Sequence, residues 1–393
     1  MRPSTAKAVA LALVALAATG VLGFLASPAC AASNNGKIVV ALDFAHGESH
    51  KYVNYIVGNL SSIATFVLIN NSITYDELKN VDVLIIGQPT TSFSSSEVAA
   101  ILKWLQTGKR VLWIAGDSDY GSGSNVQKIV NSLLVAINAK LRLEYGSVYD
   151  NVHNAKAFYR VLGHVSPDNL PGYHTDIISQ GITKPVLYHG PDVVIWQDSK
   201  GQYHDPVTDP FPGLIRIVWT YTTAYIADNN PPPLVLYDPT VDVNRTFVLL
   251  AAEVHSNDLI VVSGESPYGD YEPTWSWKYH GVPLDGPKFV TNMIKWFKWW
   301  VTSTTTPKLE TPPKVDPHTG KPITATTTST TSTTSTTTTH TTTKPTKTSP
   351  ATSPTTSSPT TTTTKKSNKA LIWGTVIVII IIIIVAAALL ARK

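Results

Sequence analysis

The sequence predicts an α/β domain built on a parallel sheet, followed by a low-complexity stalk and one C-terminal transmembrane helix. Three features predict it. Wholly apolar runs of strand length alternate with amphipathic stretches of helical period. Of the 41 residues from Thr324 to Thr364, 32 are Ser or Thr. The 21 residues Leu371 to Ala391 are almost all Ile, Val, Ala and Leu.

The first strand runs from Lys37 to Asp43, and from Glu48 a helical pattern places Tyr52, Tyr55, Ile56 and Leu60 on one side. Thr65 to Ile69 is the second strand, and Val81 to Gly87 is an apolar strand of the kind that parallel sheets bury on both faces. Ser94-Ser95-Ser96-Glu97 has the spacing of a helix N-cap and leads into Val98, Ile101, Leu102 and Leu105 before Gly108. Arg110 to Ala115 is a further buried strand and Asn125 to Ala139 a further helix. From about residue 150 to 245 the pattern changes to short strands and Pro- and Asp-rich loops, a β-rich insertion without a clear helix. The α/β pattern resumes with strands Phe247 to Ala252 and Leu259 to Ser263, then a helix from Pro287 to Trp300.

The ends fix the expected compartment. Arg2 and Lys7 precede an apolar run from Ala8 to Leu25, and small residues precede a cut after Ala31, so residues 1–31 read as a secretory signal peptide. Cys30, the only cysteine, leaves with it, so disulfides, thiolate metal sites and cysteine nucleophiles are excluded from the mature chain. Residues 32–301 form the expected outer domain, 302–369 the stalk, 370–391 the membrane helix and 392–393 a cytoplasmic tail. The protein is therefore expected in the cell membrane, single-pass, with its N-terminal domain outside. Asn59, Asn70 and Asn244 head N-glycosylation sequons in that domain.

Charged residues are 15 % of the chain and hydrophobic ones 43 %, a balance that excludes a disordered or coiled-coil protein. Ala32 to Val301 carries 19 Lys and Arg against 25 Asp and Glu, a net charge of −6 that argues against nucleic acid as a partner.

Asp43-Phe44-Ala45-His46-Gly47 after the first strand, Leu84-Ile85-Ile86-Gly87, the Ser-capped helix, Gly108 to Ile114 and Val261 to Ser266 carry a resemblance. Together they resemble a domain-of-unknown-function family with a class I glutamine amidotransferase-like fold, similar to ThuA-like proteins and to the extracellular domain of gliding-motility ABC-transporter auxiliary proteins. The resemblance implies a flavodoxin- or amidotransferase-like sandwich into which residues 150–245 are inserted. Signal, Thr-rich stalk and Ile-rich anchor together resemble a surface protein of a thermophilic archaeon. Active amidotransferases of this fold carry a nucleophilic Cys after the strand that here is Arg110 to Ala115. This chain has Gly116-Asp117-Ser118 there, which implies that amidotransferase chemistry does not run.

In an open parallel sheet, ligands bind beyond the carboxyl ends of the strands. The loops expected there bring Asp43, His46, Glu48, Gln88, Asp117, Asp119 and Glu265 to one rim. Two readings stand side by side: the acids hold a ligand, or they cap helices and close turns. Asp117 and Asp119 have the spacing of a calcium loop but lack its remaining ligands, so a divalent cation is the one cofactor to test. Asp43, His46 and Ser118 are candidates for a hydrolase, although the glycines of a nucleophile elbow are missing. Trp275 and Trp277 sit in an aromatic loop with Tyr268, Tyr271 and Tyr279, which either lines a carbohydrate or peptide site or fills a seam against the insertion. The leading expectation is a non-catalytic surface domain that binds a glycan or a partner of the envelope or of a transporter. The alternatives are an extracytoplasmic hydrolase and a structural envelope component.

Overall fold

The computed structural model describes residues 36–269 and 271–323. The expected signal peptide, the Thr/Ser tract from Thr324 onward and the expected span at 370–391 lie outside the described residues. Within them no helix is long and apolar enough to cross a membrane.

The first half of the chain alternates strand and helix: β1 (Ile38–Asp43), α1 (Val53–Leu60), β2 (Ala64–Ile69), α2 (Tyr75–Leu78), β3 (Val83–Ile86), α3 (Ser95–Leu105), β4 (Val111–Ala115) and α4 (Gly123–Ala136). The middle is strand-rich: β5 (Leu141–Leu143), β6 (Ser147–Asp150), β7 (Arg160–Val165), the single turn α5 (Asp176–Ser179), β8 (Val186–His189), β9 (Val194–Gln197), β10 (Tyr203–His204), β11 (Leu214–Trp219), β12 (Ala224–Ala227) and β13 (Val243–Arg245). The hairpin β14 (Val248–His255) and β15 (Asp258–Ser263) then leads to the long helix α6 (Gly286–Thr302).

One nine-stranded sheet holds the molecule together, in the order β2-β1-β3-β4-β15-β14-β11-β7-β8. β2, β1, β3, β4 and β15 are parallel, as the apolar runs predict. The remaining four are antiparallel, so the sheet is mixed. The change of direction has a local cause: Ser256 takes a positive φ in the two-residue turn between β14 and β15, and a hairpin pairs its strands antiparallel. β7, β8 and β11 come from the expected insertion, which widens the main sheet instead of forming a separate lobe. Two three-stranded sheets, β10-β9-β5 and β13-β12-β6, flank it.

Alternation along the central strands divides the core between the two faces. Val40, Leu42, Ile85, Trp113 and Val261 pack with α1 and α6, while Ala41, Leu84, Ile86, Ile114 and Val262 pack with α3 and α4. Buried indoles satisfy their N–H groups with oxygens of the fold: Trp104 on Val81 O at 2.8 Å, Trp113 on Ser263 Oγ at 2.9 Å and Trp296 on Tyr173 O at 2.8 Å. The result is a three-layer α/β sandwich.

Past α6, where composition places the start of the stalk, the chain packs back along the domain. Gly213 donates to Glu310 O at 2.8 Å, Val315 to Val207 O at 2.9 Å and Thr246 to Pro317 O at 2.7 Å. Arg216, fully buried and held by both oxygens of Asp168, also reaches Pro313 O at 2.7 Å. Residues 303–323 thus form a strap over β11, closed by a short hairpin of Val315–Asp316 with Lys321–Pro322.

Candidate functional site

At the carboxyl ends of the parallel strands lies a cleft of about 350 Å³ lined by Gly47, Lys51, Gln88, Thr90, Asp117 and Tyr271, among others. The loops after β1, β3, β4 and β15 do meet there, but their acids are mostly turned inward.

Asp43 ends β1 fully buried, and His46 is only 2 % exposed. His46 Nδ1 stands 2.7 Å from Asp43 Oδ2, and Nε2 stands 3.4 Å from Glu97 Oε1. Glu97 closes the predicted capping box of α3 with Ser94, and its Oε1 accepts from Ser72 Oγ at 3.0 Å and Ile73 N at 3.2 Å. Burial pushes the Glu97 carboxyl up, but the hydrogen bonds from Ser94, Ile73 and Ser72 outweigh it and hold the group at about 2. Burial also works against a charged His46, and here Asp43 and Glu97 prevail and raise the imidazole above its usual value. Glu48 receives the His46 N–H at 3.2 Å through Oε2. Burial, with the Asp43 carboxylate beside it, lifts Glu48 to about 9, so it carries its proton at neutral pH. Asp43, His46 and Glu97 form a side-chain network under the cleft, which Glu48 joins through the His46 backbone N–H while its Oε1 has no hydrogen-bond partner among the described residues.

The Ser118–His46 pairing considered for a serine hydrolase is not formed in this geometry. Both His46 nitrogens face carboxylates, which leaves neither to take a proton from Ser118. Ser118 Oγ instead accepts from Tyr120 N at 3.3 Å, and Ser118 N donates to Gly190 O at 3.0 Å. Neither Asp117 nor Ser118 has a positive φ, so the turn after β4 is not the strained elbow that presents a nucleophile.

Of the two candidate cation ligands, Asp119 is engaged within the fold. Asp119 is fully buried, with oxygens that accept from Ser147 Oγ, from Asn229 N and Nδ2, and from Asn230 N at 2.8 Å. Its lone pairs are directed at donors that pin the loop at 229–230. Among the described residues no group of three or more His, Cys, Asp or Glu is placed to hold a metal ion. Asp117 is half-buried at the cleft wall, where Oδ1 accepts Ser118 N at 2.7 Å.

Gln88 lines the cleft and donates to Gly116 O at 3.0 Å and Glu265 Oε1 at 3.3 Å. Glu265 is fully buried and receives Ser266 N at 2.7 Å and His189 N at 2.8 Å. Two buried acids of the middle segment go unnoticed in the sequence. Glu144 accepts from Val235 N at 2.8 Å and Leu236 N at 2.9 Å, an anchor like that of Asp119. Asp192 is pushed well up by burial and then by Glu144, Asp119 and Asp117, and its backbone packs so tightly on Gly264 that a Cβ there would lie 2.0 Å from Asp192 O.

The aromatic loop divides. Trp275 is 3 % exposed and belongs to the core, the seam reading; Trp277 and Tyr271 are 57 % and 68 % exposed. Trp277 lies 6.0 Å from the ring of Tyr55, and Lys51 Nζ stands 5.3 Å above the ring of Tyr271 at the cleft. The cleft thus offers the Tyr271 ring, an ammonium group and an amide group over a floor of buried acids, most of whose oxygens are engaged within the fold, with Glu48 Oε1 and Asp192 Oδ2 left without a hydrogen-bond partner among the described residues.

No family model matches the sequence, and no curated protein matches it. Solved structures do. The N-terminal domain of mmIFT52 is 14 % identical, with 68 % of this chain and 99 % of that one covered and a TM-score of 0.41. A ThuA-like protein from Bacteroides uniformis is 13 % identical over 72 % and 96 % of the two chains, with a TM-score of 0.33. A glutamine amido transferase from Methylobacillus Flagellatus is 10 % identical over 69 % and 97 %, with a TM-score of 0.29.

Proposed function

We propose that this chain is a membrane-anchored cell-surface protein whose outer domain binds a glycan at the cleft without transforming it. The observation that carries this reading is the composition of the cleft wall: exposed Tyr271 with Lys51 above its ring stands over acids such as Asp43 and Glu265 that are engaged within the fold, while a second exposed ring, Trp277, packs beside Tyr55. Sugars are held by aromatic faces together with directed amide and hydroxyl groups, and a binding site needs no poised base. Signal peptide, Thr-rich stalk and apolar tail supply the surface location, and membership of the amidotransferase-like family, in an archaeal-type envelope, is part of the same proposal. The loss of a nucleophile after β4 leaves that scaffold to binding.

The test is a saccharide array probed with the full-length protein and with its Tyr271→Ala and Trp277→Ala variants. Retained saccharides whose signal drops in both variants support the reading. Retention by none, or retention indifferent to both substitutions, removes it.

A further inference from the structure

From the cleft a line of touching rings runs across the middle segment. Tyr271 lies 5.4 Å from His189, His189 5.6 Å from Tyr159, Tyr159 5.4 Å from Phe158, Phe158 4.8 Å from Tyr149 and Tyr149 5.7 Å from Tyr225. These rings come from five separate places in the chain: the loop before α6, the end of β8, the loop before β7, β6 and β12. None belongs to the core clusters. Phe158, an apolar ring in a loop, is 44 % exposed, and the others except Tyr271 are half-buried. A continuous row of half-buried rings with an exposed ring at Phe158 and another at Tyr271 is the kind of apolar surface at which interaction sites lie.

The charge along the line narrows what it accepts. Although Ala32 to Val301 is negative overall, the cations on the line are fixed against its rings. Arg160 lies over Tyr159 at 5.0 Å and over Tyr279 at 5.4 Å, and Lys51 over Tyr271. Arg110, Arg216 and Arg245 are held by carboxylates, whereas among the described residues no carboxylate pairs with Arg160. A guanidinium placed against two rings is confined there, and its planar fork suits a carboxylate or sulfate.

We infer that the line is an extended binding track for an acidic polysaccharide, one end of which enters the cleft. This rests on the glycan reading above and deepens it: the ligand is a chain with anionic groups, bound by several sugar units, with Tyr271 at the cleft and Phe158 and Arg160 farther along.

The experiment measures binding of the full-length protein to short and long oligogalacturonates and to neutral maltooligosaccharides of matching length. Affinity for the acidic series rises with length and falls with added salt. Phe158→Ala and Arg160→Gln each weaken the long acidic oligomers about tenfold and leave the short ones unchanged, while Tyr271→Ala weakens both. Binding that is sensitive to Tyr271 but independent of length, or equal for neutral oligomers, overturns the track and leaves the glycan reading in place. Failure of every saccharide to bind removes that reading and the track with it. Sedimentation showing a self-associated protein that Phe158→Ala dissociates assigns the rings to a contact between copies and likewise overturns the track.

Discussion

The Glu97 carboxylate caps the first turn of α3 and, from the same position, faces His46 Nε2 at 3.4 Å. One side chain therefore joins the helix start to the loop after β1, and the loop's histidine is committed to structure. Glu97→Ala leaves Ser94 N, Ile73 N and Ser72 Oγ without their acceptor; the buried Ile73 N–H stranded in this way costs about 1–3 kcal/mol, and the part-buried Ser94 and Ser72 donors, which water can reach, add less. Chemical denaturation of the variant is expected to show a loss of about 3 kcal/mol, with Glu97→Gln losing less because one acceptor oxygen remains.

Glu48 sets a pH dependence of definite sign. Its carboxyl is raised from 4.5 to about 9 in the fold, so between those values the folded state keeps a proton that the unfolded chain has released. Stability contributed by Glu48 is complete at low pH and declines as pH rises through that window, by at most about 1.4 kcal/mol per pH unit. His46, also raised, acts in the same direction above its unfolded value of 6.5. Thermal melts from pH 5 to 9 should therefore show Tm falling in the wild type and a flatter profile in Glu48→Gln.

Calcium, magnesium and manganese are expected to leave the melting temperature unchanged, because Asp119 already accepts from Ser147, Asn229 and Asn230. Asp119→Ala should lower stability by about 2 kcal/mol through release of the loop at 229–230. A metal-dependent rise in Tm that disappears in this variant would show that Asp119 has been misassigned.

The strap gives a boundary to test. A secreted chain ending at Val301 loses the acceptors that Pro313, Glu310 and Pro317 supply to Arg216, Gly213 and Thr246. It should unfold at least about 3 kcal/mol more easily than one ending at Ile323. Equal melting of the two chains would mean that the strap adds nothing.

Gly264→Ala is expected to prevent accumulation of folded protein, because the added Cβ meets the backbone of Asp192, with no flexible side chain to move aside. Trp275→Ala, in the core, should cost about 3–5 kcal/mol, whereas Trp277→Ala, on the surface, should melt like the wild type.

The central strands and their helices were legible because each is a local pattern. The buried runs at Val81 to Gly87 and Arg110 to Ala115 become β3 and β4, and Ser94 with Glu97 forms the cap its spacing predicts. The widening of the sheet by β7, β8 and β11 was not legible, since half-buried strands reveal their faces but not their partners. At the rim the sequence placed Asp43, His46, Asp117, Asp119 and Glu265 in the right loops, yet could not tell an acid offered to a ligand from one that receives backbone N–H groups. That difference depends on donors far along the chain, as when Asn229 and Asn230 reach Asp119 or Val235 and Leu236 reach Glu144. The ring contacts from Tyr271 to Tyr225 join five segments and leave no spacing signal.

Binding without turnover is tested most directly by incubating the full-length protein with a saccharide it retains and weighing the saccharide afterwards by mass spectrometry. The predicted result is a saccharide recovered intact from the wild-type complex and no complex with Tyr271→Ala. Accumulation of a shortened saccharide that stops in Ser118→Ala would contradict the account and restore a catalytic role to the turn after β4.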